Sequence, residues 1–157
     1  MLAELTGLNR RVHDLDSTIK QLVTPLAPTL MKITGISHNS AAVLIAEIGD
    51  ITRFPTSAKL ARYTGAAPIP VFSADKQRRR LHRGGNRRLN SVLYTAAIVQ
   101  KRFNPAAGEL LQRHEPTKGP KGARRILQRH LVDVIHRAML INQATWPHHI
   151  TRHTTAA

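Results

Sequence analysis

The sequence predicts a mainly α fold: a small helical domain with a helix-hairpin-helix-like motif, preceded by a coiled-coil-like helix. Three observations predict it. Apolar residues recur at helical steps over most of the chain. Capping residues, glycines and prolines punctuate these stretches at intervals of about one short helix. No stretch alternates in a way that calls for a sheet. The 157 residues, 41% of them hydrophobic, suffice for one compact core.

From Leu2 the apolar positions are Leu5, Leu8, Val12, Leu15, Ile19 and Leu22, which form one stripe on a helix. Arg10, Arg11, Asp14, Asp16 and Lys20 flank it. Such a stripe either packs on the domain's own core or forms a coiled-coil seam. The pattern is already running at the first residues, so 1–22 is expected to be the end of a longer helix, within a coiled-coil-like N-terminal element placed at 1–24. Residues 1–22 become a candidate surface for homo-oligomerisation. Pro25 and Pro28 are expected to break the helix.

Residues 30–50 read as a short helix, a tight turn centred on Gly35, and a second helix from about Asn39 to Ile48 closed by Gly49. Thr56 and Ser57 offer a cap for a short helix ending near Tyr63. The prolines in 65–70 cannot continue it, so a loop is expected over 66–85. Helical patterning returns at Asn86, with Leu89, Val92, Leu93, Ala96, Ala97 and Phe103 on one side. Asn104 caps a short helix that has Pro105 at its first position and ends near His114. Residues 115–122 read as a linker. The last helix, from about Ala123 to Asn142, takes its apolar face from Leu127, Leu131, Val134, Ile135, Ala138 and Ile141. The main domain is thus placed at 29–143 and a flexible tail at 144–157, frayed from Trp146 onward.

The charge balance narrows the function. Twenty-four Lys and Arg against 9 Asp and Glu give +15 and a pI near 11.6, which calls for a polyanionic partner. Nucleic acid, with DNA as the expected partner, is favoured over a membrane, because no apolar run approaches the roughly 20 residues of a spanning helix. The absence of cysteine excludes disulfides, thiolate zinc sites and a cysteine nucleophile, and fits a cytoplasmic location. Aromatics make up only 4%, too few for base-stacking platforms, so phosphate-backbone contact is expected.

Three features carry candidate chemistry. In the Gly35 hairpin, free backbone N–H groups at the second helix's start favour a phosphate, which makes Gly35, Ser37 and Asn39 candidate contacts. An ordinary helical corner would look the same. The run 76–88 holds seven Lys or Arg and no acid: Lys76, Arg78, Arg79, Arg80, Arg83, Arg87 and Arg88, with His82 and Asn86 among them. Unscreened, such a run repels itself, so a polyanion is the economical explanation. Ser73 stands just before it. A serine hydroxyl needs a base to take its proton and a group to hold charge on the attacked phosphate. Arginines suit the second task. Only Asp75 and His82 are near in sequence for the first, at spacings that define no triad, and a plain loop serine is the alternative. The acids and the nine histidines show no metal-ligand spacing, so no metal site is expected.

The order of 30–68, then Ser73, then 82–97 resembles the C-terminal, serine-bearing domain of the bridge-RNA-guided insertion-sequence transposases of the IS-one-ten type. The resemblance runs from about 30 to 140. It rests on the Gly35 hairpin, Ile48-Gly49-Asp50 with Phe54, Tyr63-Thr64-Gly65-Ala66-Ala67-Pro68, and Gly85-Asn86-Arg87-Arg88-Leu89. It implies that Ser73 attacks a DNA phosphodiester and holds the strand as phosphoserine. The family pattern has glycine after that serine, where Ala74 stands here. The resemblance also implies a RuvC-like domain whose carboxylates bind Mg²⁺, and this stretch shows none. The cofactor expected within the chain is therefore none, and the isolated chain is expected to be inactive without that partner domain. A guide RNA is an implied partner. The alternatives are a non-catalytic helix-hairpin-helix DNA- or RNA-binding protein and a basic component of a ribonucleoprotein.

Overall fold

The computed structural model describes residues 2–73, 76–81 and 84–146, with 2–3, 69–73 and 76–81 described by their backbone. Helix α1 (Leu2–Leu26) leads through a 3-10 turn at Leu30–Lys32 to α2 (His38–Ile48), and a second 3-10 turn at Ile51–Arg53 leads to α3 (Ser57–Thr64). An antiparallel pair, β1 (Pro68–Ser73) and β2 (Lys76–Leu81), follows. Helices α4 (Arg87–Phe103) and α5 (Pro105–Ala144) complete the described chain. The fold is mainly helical, as the sequence predicts.

The caps sit where local chemistry puts them. Ser37 accepts from the Ser40 N–H at the start of α2, and Thr56 from Lys59 at the start of α3. Asn86 accepts from both Arg88 and Leu89 at the start of α4, and Asn104 from Ala106 beside Pro105. Each such oxygen satisfies a backbone donor that the helix itself cannot, worth about 1 kcal/mol.

Helix α4 is the central strut. Its Leu89, Val92, Leu93, Ala96 and Ala97 are buried, and it packs mainly on α5 and on α2. Glu47 near the end of α2 meets Asn86 at the start of α4, while Thr34, before α2, accepts from Gln100 near the other end of α4. The two helices therefore run antiparallel. Between them the Gly35 turn lies on the α4 backbone. A Cβ at Gly35 would stand 2.8 Å from the Ala96 carbonyl oxygen, and its φ of 90° favours glycine independently.

Several sequence expectations are corrected. The expected loop at 66–85 contains the β1–β2 ribbon. Both of its strands are edges, where proline is tolerated. The first helix of the expected hairpin is one 3-10 turn, Leu30–Lys32. Pro25 does not break α1 ahead of itself but falls in its last turn, and the helix ends one residue later. The expected linker at 115–122 is helical apart from a kink at Gly119 (φ 67°, ψ 169°), after which Pro120 starts the second arm of α5.

The buried face of that second arm is also rotated from expectation. Val134 and Ile141 are exposed, as is Phe103 on α4, while Gln128, His136, Met139 and Asn142 are buried. The polar members hold the 3-10 turns in place. His136 Nε2 lies 2.8 Å from the Phe54 carbonyl, and Asn142 Oδ1 accepts from the Thr29 N–H. Gln143 accepts from the Ile51 N–H and donates to Asp50. Trp146, expected to be frayed, donates its indole N–H to the Leu26 carbonyl at 2.7 Å. The remainder of the tail, 147–157, lies outside the described residues.

Candidate nucleic-acid interface

The sequence-predicted residues fall into two groups, and α4 holds them apart. Gly35 abuts Ala96, ten residues along α4 from Asn86, which at helical rise is about 15 Å. Gly35, Ser37 and Asn39 thus lie toward one end of α4. Asn86, Arg87 and Arg88 stand at the other, with the ribbon that carries Lys76, Arg78, Arg79 and Arg80. His82, Arg83 and Asp75 lie outside the described residues.

At the hairpin the second helix's start is already approached by an acid. Asp16 of α1 accepts from Asn39 Nδ2 at 2.7 Å and lies 2.9 Å from His38 Nε2. These contacts, the His38 one foremost and then Asn39, hold the Asp16 carboxyl below its ordinary range. Asp16 precedes Ile19 and Val23 by three and seven residues, which puts it on the docked side of α1. That spacing is the signal by which the sequence could have placed it. Asn39 therefore enters any phosphate complex from an existing bond.

At the ribbon the register is direct. Ser73 pairs with Lys76, Phe72 with Gln77, Val71 with Arg78, Pro70 with Arg79 and Ile69 with Arg80. Directly opposed residues share a face, and residues two apart along a strand share it too. Register therefore puts Ser73 on the same face as Lys76, Arg78 and Arg80, with Arg79 on the other. Ser73 is the last residue of β1, at the tip of the ribbon.

The base of the ribbon is built tightly. A Cβ at Gly85 would collide with the backbone of Gly65, so the ingoing and outgoing chains touch there. The Asn86 N–H donates to the Tyr63 carbonyl at 2.8 Å. Glu47 joins both sides to α2. Its Oε2 accepts from Asn86 Nδ2 at 2.6 Å, its Oε1 from Arg88 Nη1 at 3.0 Å, and its carbonyl from the Tyr63 hydroxyl at 3.2 Å. The Asn86 bond foremost, helped by Arg88, holds the Glu47 carboxyl below its ordinary range against the opposing effect of burial. Sequence reasoning missed Glu47, because its side-chain partners stand 39 and 41 residues away. The Arg88 side chain stays 79% exposed despite this pair, so it remains open to solvent on most of its surface.

Among the described residues no three His, Asp or Glu side chains gather where they could hold a metal ion. Among them, too, no helix is long and apolar enough to cross a membrane. A family model described as Transposase IS116/IS110/IS902 family matches residues 27–112. The chain is also 34% identical over 110 residues to a Streptomyces coelicolor protein named Insertion element IS110 uncharacterized 43.6 kDa protein. That match takes in 68% of this chain and 27% of the relative, so the chain spans little more than a quarter of that protein's length.

Proposed function

Because the chain belongs to the IS116/IS110/IS902 transposase family, we propose that it is the DNA-binding, serine-bearing part of an insertion-sequence transposase, with Ser73 as the nucleophile for strand cleavage and joining. The observation that carries this reading is the ribbon register: a serine at the tip, paired with Lys76 and sharing a face with Arg78 and Arg80. In the proposed step the Ser73 Oγ–P bond forms and the bond from phosphorus to a sugar oxygen breaks. The leaving oxygen takes up a proton and the strand stays on the protein as phosphoserine. Attack by a second sugar hydroxyl reverses the step and joins a new strand. Arginine guanidinium groups suit stabilising charge on the attacked phosphate, and register gives Arg78 and Arg80 the same face as the serine.

The serine's own proton needs an acceptor. The Mg²⁺ implied by the resemblance does not fit the described residues, which hold no cluster of ligands for it, so no step here passes through it. In this reading the activating carboxylates come from a RuvC-like domain outside these 157 residues. The finer parts of the proposal are a guide RNA as second polyanion, self-association through the α1 stripe, and action in the cytoplasm. The non-catalytic helix-hairpin-helix reading has less support, since a single 3-10 turn stands in place of its first helix.

The test combines the chain with a RuvC-like domain, Mg²⁺ and a matching guide, and follows covalent protein–DNA adduct on a denaturing gel. The wild type forms adduct. Ser73→Ala forms none, yet keeps its DNA affinity within about twofold, because phosphate contacts dominate binding. Adduct from Ser73→Ala would remove the serine from the chemistry.

A further inference from the structure

We infer that Glu47 is the positioning residue of the ribbon: the bonds that its carboxylate and carbonyl make to Asn86, Arg88 and Tyr63 fix the angle at which the ribbon leaves the helical body. For its chemical consequence, though not for its geometry, the inference rests on the Ser73 reading.

A lone two-stranded ribbon has little stability of its own, so its direction is set where it is attached. Here the attachment is narrow, because Gly65 and Gly85 touch and leave one pivot rather than two separated anchors. The Asn86 N–H to Tyr63 carbonyl bond closes the same base, and Ala66 and Ala67 pack on the core on the ingoing side, but these contacts bear on α3 and leave the outgoing side to be tied to α2. Glu47 adds the missing points, holding Tyr63 on the ingoing side and Asn86 and Arg88 on the outgoing side. Helix α2 can bear that load, since Leu44 and Ile48 beside Glu47 are buried in the core.

The lever is long. Six strand residues at about 3.3 Å each carry the tip about 20 Å from the base. A tilt of about 10° at the base therefore moves the tip by about 3.5 Å, while misplacement by about 1 Å can slow a reaction about 100-fold. A residue with no contact to the reacting atoms thus controls how often Ser73 stands in place.

Spin labels test the geometry in the 157-residue chain, which has no cysteine of its own. Lys59→Cys on α3 and Gln77→Cys on β2 report the distance between body and ribbon. The parent chain should give a narrow distribution, and Glu47→Ala should at least double its width. Asn86→Asp keeps an oxygen to cap α4 but sets a carboxylate against Glu47, so it should broaden the distribution as well. Combining Glu47→Gln with Asn86→Asp exchanges donor and acceptor and should restore the narrow distribution, which a merely destabilising change would not do. If Glu47→Ala fails to fold, Asn86→Asp and the exchanged pair carry the test. Unchanged widths in the folded variants, or no rescue by the exchange, would overturn the inference.

In the reconstituted reaction Glu47→Ala should form adduct about 10 to 100 times more slowly at unchanged DNA affinity. A broadened distribution with an undiminished adduct rate would overturn the chemical consequence. Adduct from Ser73→Ala would instead sink the serine reading, with the label result standing apart from it.

Discussion

On α4 the residues Leu89, Val92, Leu93, Ala96 and Ala97 are all buried, whereas on α1 Leu5, Leu8, Val12, Leu15 and Leu22 are each more than half exposed. Both stripes have helical spacing, and in sequence α1's is the longer and more apolar. The difference lies in what the rest of the chain offers each. Helix α4 has α2 on one side and α5 on the other, and its small Ala96 lets the Gly35 turn close on its backbone. Helix α1 meets the body in its second half, through Asp16, Ile19, Val23 and the Leu26 carbonyl. Periodicity thus specifies a face without specifying its partner. The proposed partner for the α1 face is a second copy of this helix.

The largest test of this contrast is a pair of truncations. Leu93→Ala should destabilise the chain by about 3 kcal/mol in urea unfolding, because the core cannot close fully around the lost atoms. Leu8→Ala should change stability by less than about 0.5 kcal/mol in dilute solution. Equal losses would mean that the α1 stripe has a partner within one chain. Next in size is Gly35→Ala, expected to cost about 2 kcal/mol from its left-handed φ and its collision with α4. The collision is with the Ala96 backbone, so Ala96→Gly should give no rescue.

A smaller effect is expected from acid. The Glu47 carboxyl is lowered chiefly by Asn86, and that of Asp50 chiefly by Gln143 with Thr52. A carboxyl lowered in the folded state contributes stability above its ordinary range and loses it as pH falls through the depressed folded value. Stability should therefore decline below about pH 4.5, and Glu47→Gln or Asp50→Asn should each flatten that decline. An unaltered acid limb would show that these bonds are replaced by equivalent ones in the unfolded chain. Smallest of all should be deletion of 2–15, which removes none of the residues described as buried. Its melting temperature should stay within about 2 °C, while sedimentation shows loss of a concentration-dependent dimer. A parent chain that is monomeric at every concentration would end the self-association reading.

What could be read from the sequence follows the same division between local and distant causes. Caps at Thr56 and Asn104 act within three residues and were legible, whereas the sequence marks Ser37 as a phosphate contact and Asn86 only as the start of a helix, and both prove to be caps. The mainly α class was legible too, since it rests on spacing alone. The ribbon was not, because consecutive cations in β2 and prolines in β1 hide its alternation, and only cross-strand register reveals it. Buried His136 and Asn142 were also hidden, since their partners Phe54 and Thr29 stand 82 and 113 residues away. At the candidate interface the charged residues were legible by type. Their division into two groups about 15 Å apart was not, for it depends on α2 and α4 running antiparallel.

The touching backbones of Gly65 and Gly85 also bear on how such a chain can change. A segment that leaves and returns at one point imposes no separation on the helices at its ends, whatever its length. Extending it adds only a slowly growing closure entropy, about 0.6 kcal/mol per doubling. Beyond Ala66 and Ala67, which pack on the core, the body is therefore little affected by what is carried there, provided that two glycines keep the door narrow. Arms of other lengths and charges can be exchanged at this point without repacking Leu89 or Leu60, and the reach of the protein can vary while its core stays the same.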